Sequence, residues 1–280
     1  MLKRVFDSLE CAYALHTGKV RSNNEDAVLV LPQYGFFAVS DGMGGASAGE
    51  VASRMVVENL EKAMLDLQEW IPAERESMVI RNAFKINNAI SNYRDEHKFV
   101  SMGATLACLL FDPWDWHSAT VFNAGDSRTY RFRDGLLEQL NEDHTLAGMN
   151  NLSEDEVLPP HRGILTNALG LEEDFFLERN TIEVRRNDVF LICSDGLTRM
   201  VSDTVLQDIF RTGKNIPCER LTERLLSEAL NSGGRDNISI IVVRVERSWP
   251  RHTPTEAEWT REVLAQERNV NDLSDTVATA

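Results

Sequence analysis

The stretch Phe36-Phe37-Ala38-Val39-Ser40-Asp41-Gly42-Met43-Gly44-Gly45 decides how this chain is read. An apolar strand over about 35–40 runs straight into an acidic residue and a glycine-rich turn. The pattern recurs. TVFNAGDSR (120–128) carries Asp126 after an apolar run, and VFLICSDG (189–196) ends on Asp195-Gly196. Glu25-Asp26 precedes the strand DAVLVL, and Asp236-Asn237 precedes ISIIVVRV (238–245). Taken singly, Asp-Gly is an ordinary turn dipeptide. Turns alone do not explain an apolar strand beside each acid. If the five segments lie side by side, they deliver carboxylates to one rim of the core. Such a cluster repels itself unless it is protonated or neutralised by cations. Oxygen-only donors suit Mg²⁺ or Mn²⁺, and the lack of a His/Cys ligand set argues against zinc.

Around these acids the chain alternates strands and helix pairs. Further strands are expected at about 11–15, 26–31, 104–111, 117–124, 128–133, 136–140, 181–185 and 188–194. Arg133-Asp134-Gly135 marks a hairpin. Val51, Met55, Leu60, Met64 and Leu67 predict a helix over 46–69; Val79, Ala83, Ile86 and Ile90 predict another over 76–97. Helical patterns also cover 203–211 and 218–230. Runs of strands broken by helix pairs indicate an α+β layered fold, not βαβ winding. Residues 141–165 are polar, with Pro159-Pro160, and read as a long surface excursion. From Arg247 a tail follows, with the pattern of a short helix at Thr253-Pro254 and a polar, disordered end after Arg268.

Composition narrows the partners. The 280 residues hold 29 Lys+Arg against 44 Asp+Glu, a net charge of −15, which excludes nucleic acid and anionic lipid as main ligands. No run approaches the roughly 18 apolar residues of a membrane span, and MLKRVFDSLE lacks the apolar core of a signal peptide. Cys11, Cys108, Cys193 and Cys218 stand far apart, so a reducing, cytoplasmic setting is expected.

The ordered motifs resemble the metal-dependent protein serine/threonine phosphatases of the PP2C (PPM) family. The resemblance is carried by Gly18-Lys19-Val20-Arg21-Ser22-Asn23-Asn24-Glu25-Asp26-Ala27, Val39–Gly45, Met102-Gly103-Ala104-Thr105, Asn123–Arg128, Leu165–Gly170, Cys193–Leu197 and Gly234-Arg235-Asp236-Asn237. It implies one domain over 1–246, with 141–165 as a flap-like excursion and 247–280 as a tail. The implied fold is a four-layer α/β/β/α sandwich of two antiparallel sheets flanked by helix pairs. By motif match, Asp41 bridges two Mn²⁺ or Mg²⁺ ions. Asp195 and Asp236 complete the first site, while Glu25 and the Gly42 carbonyl serve the second. Asp126 with Asp195 matches the place of a third, weaker ion in bacterial members. Asp26 holds metal-bound water by hydrogen bonding, and Arg21 grips the substrate phosphate.

The implied reaction is hydrolysis of phosphoserine and phosphothreonine by direct attack of a metal-activated water, opposing a Ser/Thr kinase. A monomer is expected. Animal members usually carry a proton-donating His where this chain has Met43, so the match is to the bacterial-type branch. The leaving-group proton is left to metal-bound water or to His161. Gly44-Gly45 reads as a tight turn beside the metals before it reads as a phosphate cradle. Arg128 and His144 read as structural, Arg199 as a surface residue, and Trp259 as an anchor or an idle part of the tail. Two other readings share these acids: a non-catalytic phosphoprotein-binding scaffold, and a hydrolase of a small phosphoester. Degenerate scaffolds lose ligand acids, and here all are kept.

Overall fold

A computed structural model describes residues 9–44, 48–67, 71–113, 115, 117–150, 152, 156–171 and 174–246. The expected tail helix, Trp259 and Gly45 lie outside the described residues. In chain order the strands are β1 (Leu9–His16), β2 (Asp26–Leu31), β3 (Phe36–Met43), β4 (Gly103–Ala104), β5 (Leu106–Phe111) and β6 (Ser118–Ala124). Then come β7 (Arg128–Arg133), β8 (Leu136–Gln139), β9 (Glu178–Glu183), β10 (Val189–Cys193) and β11 (Ile238–Val245). The helices are α1 (Ala48–Leu65), α2 (Pro72–His97), α3 (Leu146–Met149), α4 (Asp195–Thr198), α5 (Asp203–Thr212) and α6 (Cys218–Asn231).

Two antiparallel sheets result. One has the order β1-β11-β10-β7-β8; the other has the order β2-β3-β5-β6-β9, with β4 paired to β3. Three apolar layers hold them together. Helices α1 and α2 cover one sheet, α5 and α6 cover the other, and a third layer lies between the sheets. This is the expected four-layer α+β sandwich.

Side-chain alternation explains why the central strands read as unbroken apolar runs. In β3, Phe36 and Ala38 face the helices while Phe37 and Val39 face the opposite sheet. In β10, Val189, Leu191 and Cys193 face α5 and α6, while Phe190 and Ile192 face inward. Phe37, Phe111 and Phe190 meet edge to face between the sheets, and burying each contributes roughly 2–3 kcal/mol.

The 141–165 segment is exposed over most of its described later part, as expected of a surface excursion, but its first residues are buried. Asn141, His144, Thr145 and Ala147 are buried, and α3 forms with the Thr145 hydroxyl accepting from the Gly148 N–H. A bridge between Thr145 and Leu165 closes the loop at its base. The buried polar residues at its start satisfy backbone groups instead of facing water. The Asn141 side chain accepts from the Thr129 N–H and donates to the Ser127 carbonyl.

Candidate functional site

The period of two that builds the inter-sheet layer also aims the site. Asp26 continues the face of Val28 and Val30, and Asp41 that of Phe37 and Val39. The two acids pair directly in the β2–β3 register. Thr105, Ser194 and Ser239 continue the inward faces of β5, β10 and β11. The inter-sheet layer therefore ends, at one edge, in polar side chains.

These groups lock one another. Ser194 Oγ and Ser239 Oγ donate to Asp26 Oδ2 at 2.7 and 2.6 Å. The Asp26 N–H donates to Asn24 Oδ1 at 3.0 Å. Thr105 Oγ1 accepts from the Asp41 N–H at 2.9 Å and bonds Ser127 Oγ at 2.7 Å. Asn237 Oδ1 accepts from the Glu25 N–H at 2.8 Å, and its Nδ2 donates to the Thr17 and Asn23 carbonyls. Gly42 permits close approach of α1: a Cβ there would lie 2.0 Å from the Gly49 carbonyl oxygen and 2.6 Å from that of Glu25. Gly44 has φ +142°.

Arg21, Glu25, Asp41, Gly42, Asp126, Asp195 and Asp236 all line one cavity of about 650 Å³, along with Met43 and Gly44. Asp26 lies buried just behind them. His161 is exposed and outside this lining. His144 is buried. Its Nδ1 accepts from the Gly125 N–H and from Asn167, which leaves the proton on Nε2, 3.4 Å from Glu178. It supports the Asp126 turn. Arg128 makes a forked pair with Asp143 and donates to the Tyr130 hydroxyl, a structural role as expected.

Arg199 is exposed, as expected of a surface residue, but its guanidinium also lines the cavity and meets two of its acids. Its Nη2 lies 2.7 Å from Asp195 Oδ2 and 3.3 Å from Asp126 Oδ2. Gly163, at φ +66° on the flap-like segment, packs against the same guanidinium: a Cβ there would meet Nη2 at 2.6 Å. Also in the cavity lining, Arg21 Nη2 donates to Asp236 Oδ2 at 2.8 Å.

Electrostatics express the crowding. Burial, then repulsion from Asp26 and Asp195, holds the Asp41 carboxyl well above the usual range. Burial and Asp195 push Asp126 up to about 8 against the pull of Arg199. Burial raises Asp26 to about 6 although Ser239 and Ser194 donate to it. Asp195 is raised by burial, with Arg199 opposing.

No three acidic, His or Cys side chains among the described residues converge tightly enough to enclose an ion unaided. The guanidinium groups of Arg21 and Arg199 supply positive charge to the acids instead. A hard cation nevertheless fits the donor set. All donors are oxygens, and Asp26 Oδ1 and Asp195 Oδ1 are buried without a hydrogen-bond donor, save for a proton carried by Asp41.

A raised carboxyl pKa favours the folded state at low pH and loses that contribution as pH rises through the folded value. With Asp26 at about 6 and Asp126 at about 8, against an ordinary carboxyl value of 3.8, chelator-treated protein should melt at a higher temperature at pH 6 than at pH 8. Asp126→Asn should flatten that slope. Equal melting temperatures across the range would refute the buried-acid account.

Comparison with known proteins gives this site its class. The family model described as Protein phosphatase 2C matches residues 16–232, and the chain belongs to that family. The serine/threonine phosphatase stp of Listeria welshimeri is 32% identical over 236 residues, covering 81% of this chain and 92% of the relative. Among solved structures, PppA, described as a key regulatory component of T6SS in Pseudomonas aeruginosa, superposes with TM-score 0.76 at 30% identity. That match covers 85% of this chain and 98% of PppA. The catalytic domain of the phosphatase PstP, solved with two manganese ions, gives TM-score 0.72 at 31% identity, covering 85% of this chain and 99% of that domain.

Some positioning residues were not singled out from the sequence. Ser194, Ser239 and Thr105 carried a signal, since each continues the inward parity of an apolar strand. Arg199 carried none.

Proposed function

We propose that this chain is a metal-dependent phosphatase acting on phosphoserine and phosphothreonine in proteins, in opposition to a Ser/Thr kinase. The observation that carries this reading is the convergence of carboxylates from five separate segments, beside Arg21, in one cavity. Asp41, Asp195 and Asp236 would hold one Mn²⁺ or Mg²⁺ ion; Asp41, Glu25 and the Gly42 carbonyl would hold another. When bound, such ions supply an activated water and neutralise charge on the transferring phosphoryl group.

The chain's own groups do the rest. Arg21 is half exposed and, among the described residues, tied only to Asp236, so its planar fork can turn to two phosphate oxygens. Asp26, held by two serine hydroxyls, keeps Oδ1 free to accept a hydrogen bond from the attacking water. Met43 lines the cavity but has no proton to give. No helix among the described residues is long and apolar enough to cross a membrane, and all four cysteines are free thiols, in keeping with cytoplasmic work.

The direct test is phosphate release from a phosphothreonine peptide with Mn²⁺, before and after EDTA. Activity that survives complete chelation would sink the reading.

Asp126 with Asp195 would form a third, weaker position, and Arg199 stands on both acids. Arg199→Ala should therefore tighten binding of an additional Mn²⁺ about tenfold, roughly 1.4 kcal/mol, in a calorimetric titration. An unchanged isotherm would show that Arg199 does not compete there.

A further inference from the structure

At the opposite end of β10 and β11 lies a second cavity, of about 630 Å³. It is walled by the β7–β8 turn, the β9–β10 turn, the residues at and after the end of α5, and Arg244 of β11. Val189 lines it, while Asp195, six residues on, lines the catalytic cavity. At strand rise the two are roughly 20 Å apart. On a chain of net charge −15, this cavity is lined by six cations and only two acids, Asp134 and Asp188.

The cations are not equally committed. Arg133 forks onto buried Asp188 at 2.8 and 2.7 Å, and Arg244 joins Glu10 and the Ile216 carbonyl, both at 2.8 Å. These pairs build the floor. Arg185 and Arg211 pair with the exposed Glu183 and Asp208, contacts worth little and readily exchanged. Lys214 has no ion pair among the described residues, and Arg186 has only the Glu246 carbonyl, 3.1 Å from its Nε. At the rim, Asn187 sits at φ +69°, fixed by its N–H to the Val245 carbonyl, while Asp188 Oδ2 accepts from the Arg185 N–H. Asn takes this left-handed backbone readily, so the turn is fixed without strain.

We propose that this cavity is a second phosphoryl-binding site that holds its ligand without cleaving it. A phosphoryl group presents several anionic oxygens to guanidinium forks and a lysine, the arrangement these side chains favour. The cavity nearly equals the catalytic one in volume, so a phosphorylated side chain fits as well as a free ion. Long polyanions are disfavoured by the acidity of the rest of the surface. Asp188 is spent on Arg133 and the Arg185 N–H, so no carboxylate set is left there to assemble a metal centre. The choice of source, product phosphate or a second phosphorylated residue of a substrate, rests on the phosphatase reading. The binding itself does not.

The test uses the full chain treated with chelator, so that the catalytic cavity keeps its acids without added cations. Inorganic phosphate and a phosphothreonine peptide are titrated separately by calorimetry. One saturable site is expected, weakened at least tenfold by Arg186→Glu with Lys214→Glu and unchanged by Arg21→Ala. Both altered side chains are exposed, so the double variant should keep its melting temperature and its kcat on a small aryl phosphate with Mn²⁺. Peptide binding about tenfold tighter than phosphate identifies a substrate residue as the ligand; equal or weaker binding identifies free phosphate. Absence of saturable binding, or equal binding by the double variant, overturns the proposal. Because the binding titrations involve no turnover, a failed phosphatase assay would leave their result standing.

Discussion

Asp41→Asn is expected to lower kcat on a phosphothreonine peptide by about a thousandfold or more, roughly 4 kcal/mol of barrier. The same change should leave the chelator-treated protein at least as stable as the parent. Both effects follow from one position. Asp41 faces Asp26, Asp195, Asp126 and Asp236, and its carboxyl is held well above the usual range because burial and these neighbours oppose its charge. Asn keeps the shape and the backbone N–H that donates to Thr105, but removes the charge that two cations would share. Turnover and calorimetric melting, measured side by side, separate the two effects. Wild-type turnover would remove Asp41 from the site. A large drop in melting temperature would mean that its carboxylate is a structural requirement.

Arg21→Lys is expected to cut kcat/KM for the same peptide about a hundredfold, roughly 2.7 kcal/mol, with little change in stability. The guanidinium is tied to Asp236 by a half-exposed pair, which is worth at most about 1 kcal/mol to the fold. In the proposed mechanism its value lies in a planar fork that would meet two phosphate oxygens at once; an ammonium is a point charge. A lysine variant within threefold of wild type would show that Arg21 does not grip phosphate. If the loss lies in KM alone, the contact acts on the ground state and the transition state equally.

The strands were legible where side chains alternate against two apolar layers. β2, β7 and β11 lie where the apolar pattern places them, at 26–31, 128–133 and 238–245. β9 was expected at 181–185 but occupies Glu178–Glu183, because this polar edge strand has only Ile182 buried to mark its register. α2 begins at Pro72, four residues before its apolar stripe was read, with proline in its first turn and Arg75 buried. α4 was missed: four residues are too few for a helical period to show. Only the start of the 141–165 segment departs from an exposed excursion: Asn141, His144 and Thr145 are polar yet buried, with hydrogen-bond partners within the fold.

The acids themselves were legible by type and by their place at strand ends, and so was the family pattern they form. Each of those signals is local, contained within a few residues of an apolar run. The chain alone could not show that Asp26 stands opposite Asp41, that Ser194 and Ser239 both donate to it, or that Arg199 spans Asp126 and Asp195 under Gly163. Nor could it bring Arg133, Arg186, Lys214 and Arg244 to one cavity at the far end of the sheets. Alternation along a strand fixes which face a side chain takes. Which distant side chain it meets there is set by strand register and sheet packing, and only the tertiary structure decided those.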